Sequence, residues 1–331
     1  MANTLFDTTV YFATNRNPMG VGFGANIADT DPTKTLFAAV DVSGTDLLNA
    51  DSGVLGPITD RSTGTFGGGA LNSIVNGADN LLIFIHGFAN SFEDSIKRAA
   101  YNRAWFADGG AQGETAMVAF SWPSAGTIVD FGEALTAPYK ADQVNAGNSG
   151  DHLAYFFLQI DKIAATFKSL RPNRRVFLLA HSMGNWALQA GVSAWYPQRT
   201  EAGPVFDEVI LAAPDEHFTS FEFPLGQRLT RLPDLTRRTT IYYSGIDKIL
   251  FMLSAPVNGV QRLGTLGPQR MNDETLYTAS KFRMRNCGFV NDYHHGTFDA
   301  VHQYYRLSPK VRADIVAMMN GGPSGARIDY L

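Results

Sequence analysis

VFLLAHSMGNWAL (Val176–Leu188) passes from five apolar residues through a turn with a central serine into helix-forming residues. An unbroken apolar run of strand length marks a strand buried on both faces, as in parallel sheets covered by helices. The turn Ala180-His181-Ser182-Met183-Gly184 has small residues at its flanks, where strand and helix backbones crowd together. A serine hydroxyl is a weak nucleophile near neutral pH. It needs a base for its proton and donors for the oxyanion that forms. The small–x–Ser–x–Gly pattern alone is weak. Its place between VFLLA and a helix is what marks Ser182 as a nucleophile and not an ordinary helix N-cap.

Outward from this turn, strands and helices alternate. LLIFI (Leu81–Ile85) reads as a buried strand ending in His86-Gly87-Phe88, and Ser91 with Asp94 forms a helix start. MVAFSW (Met117–Trp122) is a strand stopped by Pro123, and an amphipathic helix follows over His152–Leu170. VILAA (Val209–Ala213) ends at Asp215, TTIYYS (Thr239–Ser244) ends near Asp247, and Arg283–Val290 is a candidate last strand. A closing helix is expected at Ser308–Met319, with Ser308 as N-cap and Pro309 in its first turn. This order predicts an α/β fold, a mostly parallel central sheet flanked by helices on both faces. Right-handed crossovers then bring His86, Trp122, Ser182, Asp215 and Asp247 to one edge of the sheet, where such folds bind ligands.

The reading is of one domain over 1–331. Residues 1–75, with extended runs at Thr8–Ala13 and Thr35–Val42, extend the sheet. Segments 123–150 and 250–280 are candidate cap or pocket-lining segments, carrying Phe131, Tyr139, Phe251 and Met252. Tyr139 and Asp142 read better as polar anchors of the fold than as participants in chemistry. GTFGGGA (Gly64–Ala70) lacks the Lys-Ser/Thr ending of a phosphate loop and is expected to be a flexible loop.

Composition narrows the function classes. A chain of 331 residues, 45% hydrophobic, can bury a large core. Its net charge of -4 is spread without a basic stripe, which argues against nucleic acid as a partner. The single Cys287 rules out an intramolecular disulfide and reads as a buried small hydrophobe. There is no HExxH, CxxC or dinucleotide fingerprint, so neither metal nor organic cofactor is expected. MANTLFDTTVYFATNR shows no basic region followed by an apolar one, and no run is long enough to span a bilayer. A cytoplasmic location is therefore expected, and oligomeric state is left open.

The donors can be placed next. The backbone N–H of Met183 begins the helix after the elbow, and that of Phe88 follows Gly87 in a tight turn. His86 fits a structural hydrogen-bonding role. Trp122 and His181 are candidate pocket residues beside His86 and Gly87, with core packing equally open for Trp122.

The set LLIFIHGFANSFEDSIKRAA, AFSWPSAG, LLAHSMGNWAL, VILAAPDEH and YYSGIDKIL resembles one bacterial branch of the α/β-hydrolases, a branch classed as a domain of unknown function. The early ATNR (Ala13–Arg16) is similar to that family's N-terminal element. The resemblance covers most of the chain and implies an α/β-hydrolase fold with a Ser–Asp–His triad in that chain order. Asp247 occupies the usual place of the orienting acid in this fold, with Asp215 as the alternative. For the base, His302-Gln303-Tyr304-Tyr305-Arg306-Leu307-Ser308-Pro309 reproduces the family's ending, while the loop-like His294-His295 doublet offers His295 instead. The function expected is hydrolysis of a small-molecule carboxylic ester through an acyl-enzyme. Acyl transfer, or cleavage of an amide, lactone or thioester, would use the same triad, and a non-catalytic binding protein is the remaining alternative.

Overall fold

The structure, a computed structural model, describes residues 4–125, 135–200, 202–222, 229–294, 300–322 and 325–331. Twelve strands are found among them: β1 (Leu5–Thr14), β2 (Arg16–Met19), β3 (Gly22–Ile27), β4 (Leu36–Asp46), β5 (Val54–Thr63), β6 (Asn80–Ile85), β7 (Thr115–Ser121), β8 (Arg175–His181), β9 (Glu208–Ala212), β10 (Thr239–Tyr243), β11 (Phe282–Asn286) and β12 (Ile328–Tyr330). Ten form one sheet in the order β12-β11-β10-β9-β8-β6-β7-β1-β4-β5, and β2 pairs with β3 in a separate ribbon. From β12 to β1 every neighbouring pair is parallel, while β4 and β5 add antiparallel at the edge.

The longer helices are α1 (Gly68–Gly77), α2 (Phe92–Asp108), α3 (Thr136–Asn148), α4 (Gly150–Leu170) and α5 (Gly184–Trp195), with a closing helix at Pro309–Met319. Side chains alternate across each strand. Leu81, Ile83 and Ile85 of β6 join a core with α1, α4 and α5, through residues such as Ile74, Phe157 and Leu188. Leu82 and Phe84 join the opposite core with α2 and the closing helix, through Ile96, Ala100 and Ile315. Burial on both faces is why these strands read as continuous apolar runs.

The order of the sheet turns over beside β6. The chain runs from β6 to β7 on one side, then crosses to β8 on the other. At such a switch point the loops after neighbouring strands diverge and leave a crevice at their carboxyl ends. The loops concerned are those following Ile85 and His181.

Helix starts follow the sequence closely. Ser91 and Asp94 form a reciprocal capping box on α2. Ser308 caps the closing helix by accepting the Val311 N–H at 3.1 Å, with Pro309 in the first turn. Two expectations need correction. Gly64–Ala70 is not all loop, because Gly68 already begins α1, which buries Ala70, Ile74 and Val75. The glycines there permit close passage of β5, since a Cβ at Gly69 would lie 2.8 Å from Asp60 Oδ2. Segment 123–150, read as a candidate cap or pocket-lining stretch without a helix, contains α3, hidden from the periodicity because its buried residues include the polar Tyr139 and Asp142. Residues 126–134, and with them Phe131, lie outside the described residues, as does His295. Cys287 is a buried free thiol. No helix among the described residues is long and apolar enough to cross a membrane.

Candidate active site

Ser182 sits between β8 and α5 with φ at +53°, in the left-handed region that a side chain rarely adopts. Three interactions hold it there. Its N–H donates to Ala212 O at 3.0 Å, and its carbonyl accepts from Asp215 N at 3.1 Å and Asn185 N at 3.0 Å. The Asn185 side chain adds bonds to Ala180 O at 3.1 Å and Ser182 O at 3.0 Å. The small residues of the elbow are needed for room. A Cβ on Gly184 would lie 2.5 Å from the carbonyl oxygens of both Ile85 and His86. Sequence reading missed Asn185, although it lies in the AHSMGN run that drew attention to the serine.

The loop after β6 comes in beside Ser182. Its backbone is pinned by Asn90, whose amide donates to Gly87 O at 3.0 Å and Phe88 O at 2.7 Å. Among the described residues no acceptor is found for the backbone N–H of Phe88 or of Met183. Ala89 continues the loop at φ +54°, a second strained position next to the first.

His302 closes the arrangement from a short helical turn at Ala300–His302. Its Nδ1 lies 2.6 Å from Asp247 Oδ2. Asp247 is fully buried, and its other oxygen accepts from Leu250 N at 3.0 Å. Ser182 and His302 line one small cavity, of about 50 Å³, together with His181, Gln303 and Arg98. Its apolar wall is made by Phe88, Leu135, Ile249 and Leu253.

Asp215, the alternative carboxylate, has other partners. Asp215 accepts from Tyr139 Oη at 2.7 Å and Arg262 Nε at 2.8 Å, and also from Ser254 Oγ. Arg262 and Asp215 are both buried, so the pair behaves as an anchor between β9 and the segment after β10. Tyr139 belongs to that anchor, and burial beside Asp215 pushes its phenol well above the usual range. Asp142 accepts from Ala89 N at 3.3 Å, Ala125 N at 3.1 Å and Ser124 Oγ, tying α3 to both loops. Phe251 and Met252 are exposed.

His86, Gly87 and Trp122 are placed behind the cavity wall, not on it. The His86 and Trp122 rings stack at 4.8 Å, and Trp122 Nε1 donates to His86 O at 2.8 Å. This packing beneath the loop after β6 satisfies the indole in the interior. Burial, reinforced by the nearby Arg16 guanidinium, holds the His86 imidazole well below its ordinary value. His181 does reach the cavity, packed against His302 with ring centres 4.8 Å apart. Burial, and after it the charge of nearby Arg306, hold its imidazole well below the ordinary value as well.

Arg16 is the residue whose role sequence reading did not recover. Its guanidinium is buried and donates to Ser121 Oγ at 2.9 Å, Gly24 O at 3.0 Å, Ser124 O at 3.0 Å and Asn90 O at 2.8 Å. It thereby joins the β2–β3 ribbon, the loop after β7 and the loop after β6. Burial lowers it to about 9 despite Asp142 and Asp94. The only signal was ATNR, noticed as a motif without a partner. Among the described residues no group of three or more His, Cys, Asp or Glu is arranged to hold a metal ion.

Three solved structures are similar at low identity. Aspergillus fumigatus lipase B is 16% identical with a TM-score of 0.38, over 75% of this chain and 54% of that one. The product of gene lin2722 from Listeria innocua is 12% identical with a TM-score of 0.38, over 76% of this chain and 97% of that one. Trichoderma reesei cutinase, solved with a C11Y4 phosphonate inhibitor, is 11% identical with a TM-score of 0.25, over 48% of this chain and 60% of that one. The chain spans about half the length of the lipase. No curated protein sequence matches. The family described as alpha/beta hydrolase of unknown function (DUF900) matches residues 70–319, and the chain belongs to that family.

Proposed function

We propose that the protein is a serine hydrolase that cleaves a carboxylic ester of a small molecule through an acyl-enzyme on Ser182. The observation that carries this reading is the 2.6 Å hydrogen bond from His302 Nδ1 to Asp247, on the wall of the cavity that Ser182 shares. Membership of an α/β-hydrolase family supports hydrolytic chemistry in general. The ester substrate and the residue roles are inferred from geometry.

With Nδ1–H donated to Asp247, His302 presents Nε2 as the base. Ser182 Oγ bonds to the ester carbonyl carbon while its proton passes to Nε2, and the carbonyl π electrons move onto oxygen. The N–H groups of Phe88 and Met183 donate to that oxyanion. Collapse expels the alcohol oxygen, which takes the proton from His302. Water then repeats the sequence on the acyl-enzyme, releasing the acid and restoring the Ser182 hydroxyl. Asp247 stays ionised throughout, orienting the ring and stabilising the imidazolium.

A fluorophosphonate probe is expected to label the wild type at Ser182, and the protein should cleave 4-nitrophenyl acetate. Ser182→Ala should abolish labelling and lower kcat by about 10⁴-fold or more. A wild type that neither labels nor cleaves activated short esters sinks the proposal.

A further inference from the structure

Two arginines stand side by side where the cavity meets the interior. Arg98 of α2 lines the cavity that Ser182 and His302 share, and Arg306 lies just after it on the chain segment that carries His302. Arg306 Nε donates to Gln303 Oε1 at 2.9 Å, and Gln303 also lines the cavity. Their shared carboxylate is distant and wet. Asp51 Oδ1 is 3.9 Å from Arg98 Nη2 and 4.0 Å from Arg306 Nη1, and Asp51 is exposed. An exposed carboxylate beyond hydrogen-bond distance, with Asp94 further along the helix, leaves both guanidinium groups without a close counter-charge.

Unmet hydrogen bonds cluster at the same spot. Arg98 Nε and Arg306 Nη1 are buried without a hydrogen-bond partner. Buried arginine nitrogens without a partner also occur in Arg174, Arg262 and Arg283, but among the described residues Arg98 is the arginine that lines the cavity of Ser182 and His302. Burial, with Arg306 next to it, lowers the Arg98 guanidinium to about 10, so it is still cationic at neutral pH.

We propose that Arg98, backed by Arg306 and Gln303, forms an anion subsite beside Ser182, and that the substrate is an ester carrying a carboxylate a few bonds from the scissile carbonyl. The proposal rests on the serine-hydrolase reading and adds the charge of the substrate. A guanidinium offers a paired-donor fork to a carboxylate, and near the reacting centre such a contact fixes which way the ester lies.

The experiment uses matched pairs that differ only in a remote charge. In the first pair, 4-nitrophenyl hydrogen glutarate is compared with its methyl ester, which places the charge on the acyl side. In the second, 4-(butanoyloxy)benzoate is compared with its methyl ester, which places it on the alcohol side. The free acid of at least one pair should be preferred in kcat/KM by about 10-fold or more, and Arg98→Gln should lower kcat/KM for the acid by about 10-fold more than for its methyl ester, removing the preference. Arg98→Lys, which keeps the charge, should retain part of it.

A second readout is independent of turnover. Ser182→Ala should bind glutarate in calorimetry, and Ser182→Ala with Arg98→Gln should not. Equal use of acid and methyl ester in both pairs overturns the subsite, as does an equal loss on all esters in Arg98→Gln. Glutarate binding in a wild type that labels with no phosphonate would keep the subsite and remove the hydrolase reading. Absence of both glutarate binding and charge preference removes the subsite alone.

Discussion

Gly87 and Ser182 approach so closely that a Cβ added to the glycine would lie 2.9 Å from the serine Cβ. The same atom would meet His181 O at 3.1 Å. The loop carrying the Phe88 N–H therefore rests directly on the nucleophile's turn, and only hydrogen fits between them. Gly87→Ala should push the loop outward and lower kcat by about 10²-fold, the size of losing one oxyanion donor. Thermal unfolding alongside ester kinetics checks this. A normal kcat in a folded variant would remove Phe88 from the proposed oxyanion pair.

The two candidate acids should separate cleanly. Asp247→Asn leaves a group of the same size but presents an amide to His302, so kcat should fall by about 10⁴-fold with little change in folding. Asp215→Asn leaves Arg262 buried without its counter-charge, and should cost about 3–5 kcal/mol of stability. Denaturant melts and kinetics on both variants test the division. If Asp215→Asn is stable but inactive and Asp247→Asn is active, the assignment is reversed.

Stability should decline in mild acid for a reason located beneath the site. His86 and His181 are held neutral in the fold, well below the ordinary value of 6.5. Below that pH the unfolded chain takes up protons that the native state refuses. Stability is thus full above about pH 6.5 and falls as pH drops, by about 1.4 kcal/mol per pH unit for each such histidine. Urea melts between pH 7 and pH 5.5 give the slope. His86→Asn should reduce the slope by about one proton, whatever it does to stability at pH 7.

Arg16→Lys keeps the charge but loses the planar fork that reaches Ser121, Ser124, Asn90 and Gly24. Unmet carbonyls in the interior should lower stability by about 2–3 kcal/mol. Because Asn90 also pins the Phe88 loop, kcat should fall more than KM rises. A variant that melts lower yet keeps full kcat would make Arg16 a stabilising residue only.

Much of this was legible in the sequence because the central strands are buried on both faces. LLIFI and VFLLA announce themselves for that reason, and the elbow follows from the strand before it. Strands toward the edges were harder to read. FRMRN of β11 carries two arginines, and β12 is only three residues long. Ser182 drew notice through its place between the VFLLA strand and a helix, its spacing alone being weak. Between Asp247 and Asp215 the sequence favoured Asp247 by its place after the later strand, but both follow buried strands and their partners are not legible in local sequence. Arg16 and Asn90 act across 74 and a few residues respectively, and nothing in their own neighbourhoods reveals it.

The Arg16 fork also bears on how the protein can be trimmed. The family match begins at residue 70, after the ribbon and after β1, β4 and β5. A fragment cut to that match would keep Ser182, Asp247 and His302, yet it would leave β7 unpaired on one side and the Phe88 loop without the Arg16 bond to Asn90 O. The smallest working unit of this enzyme scaffold is therefore larger than its recognisable signature, and it includes the first strand and the arginine that follows it.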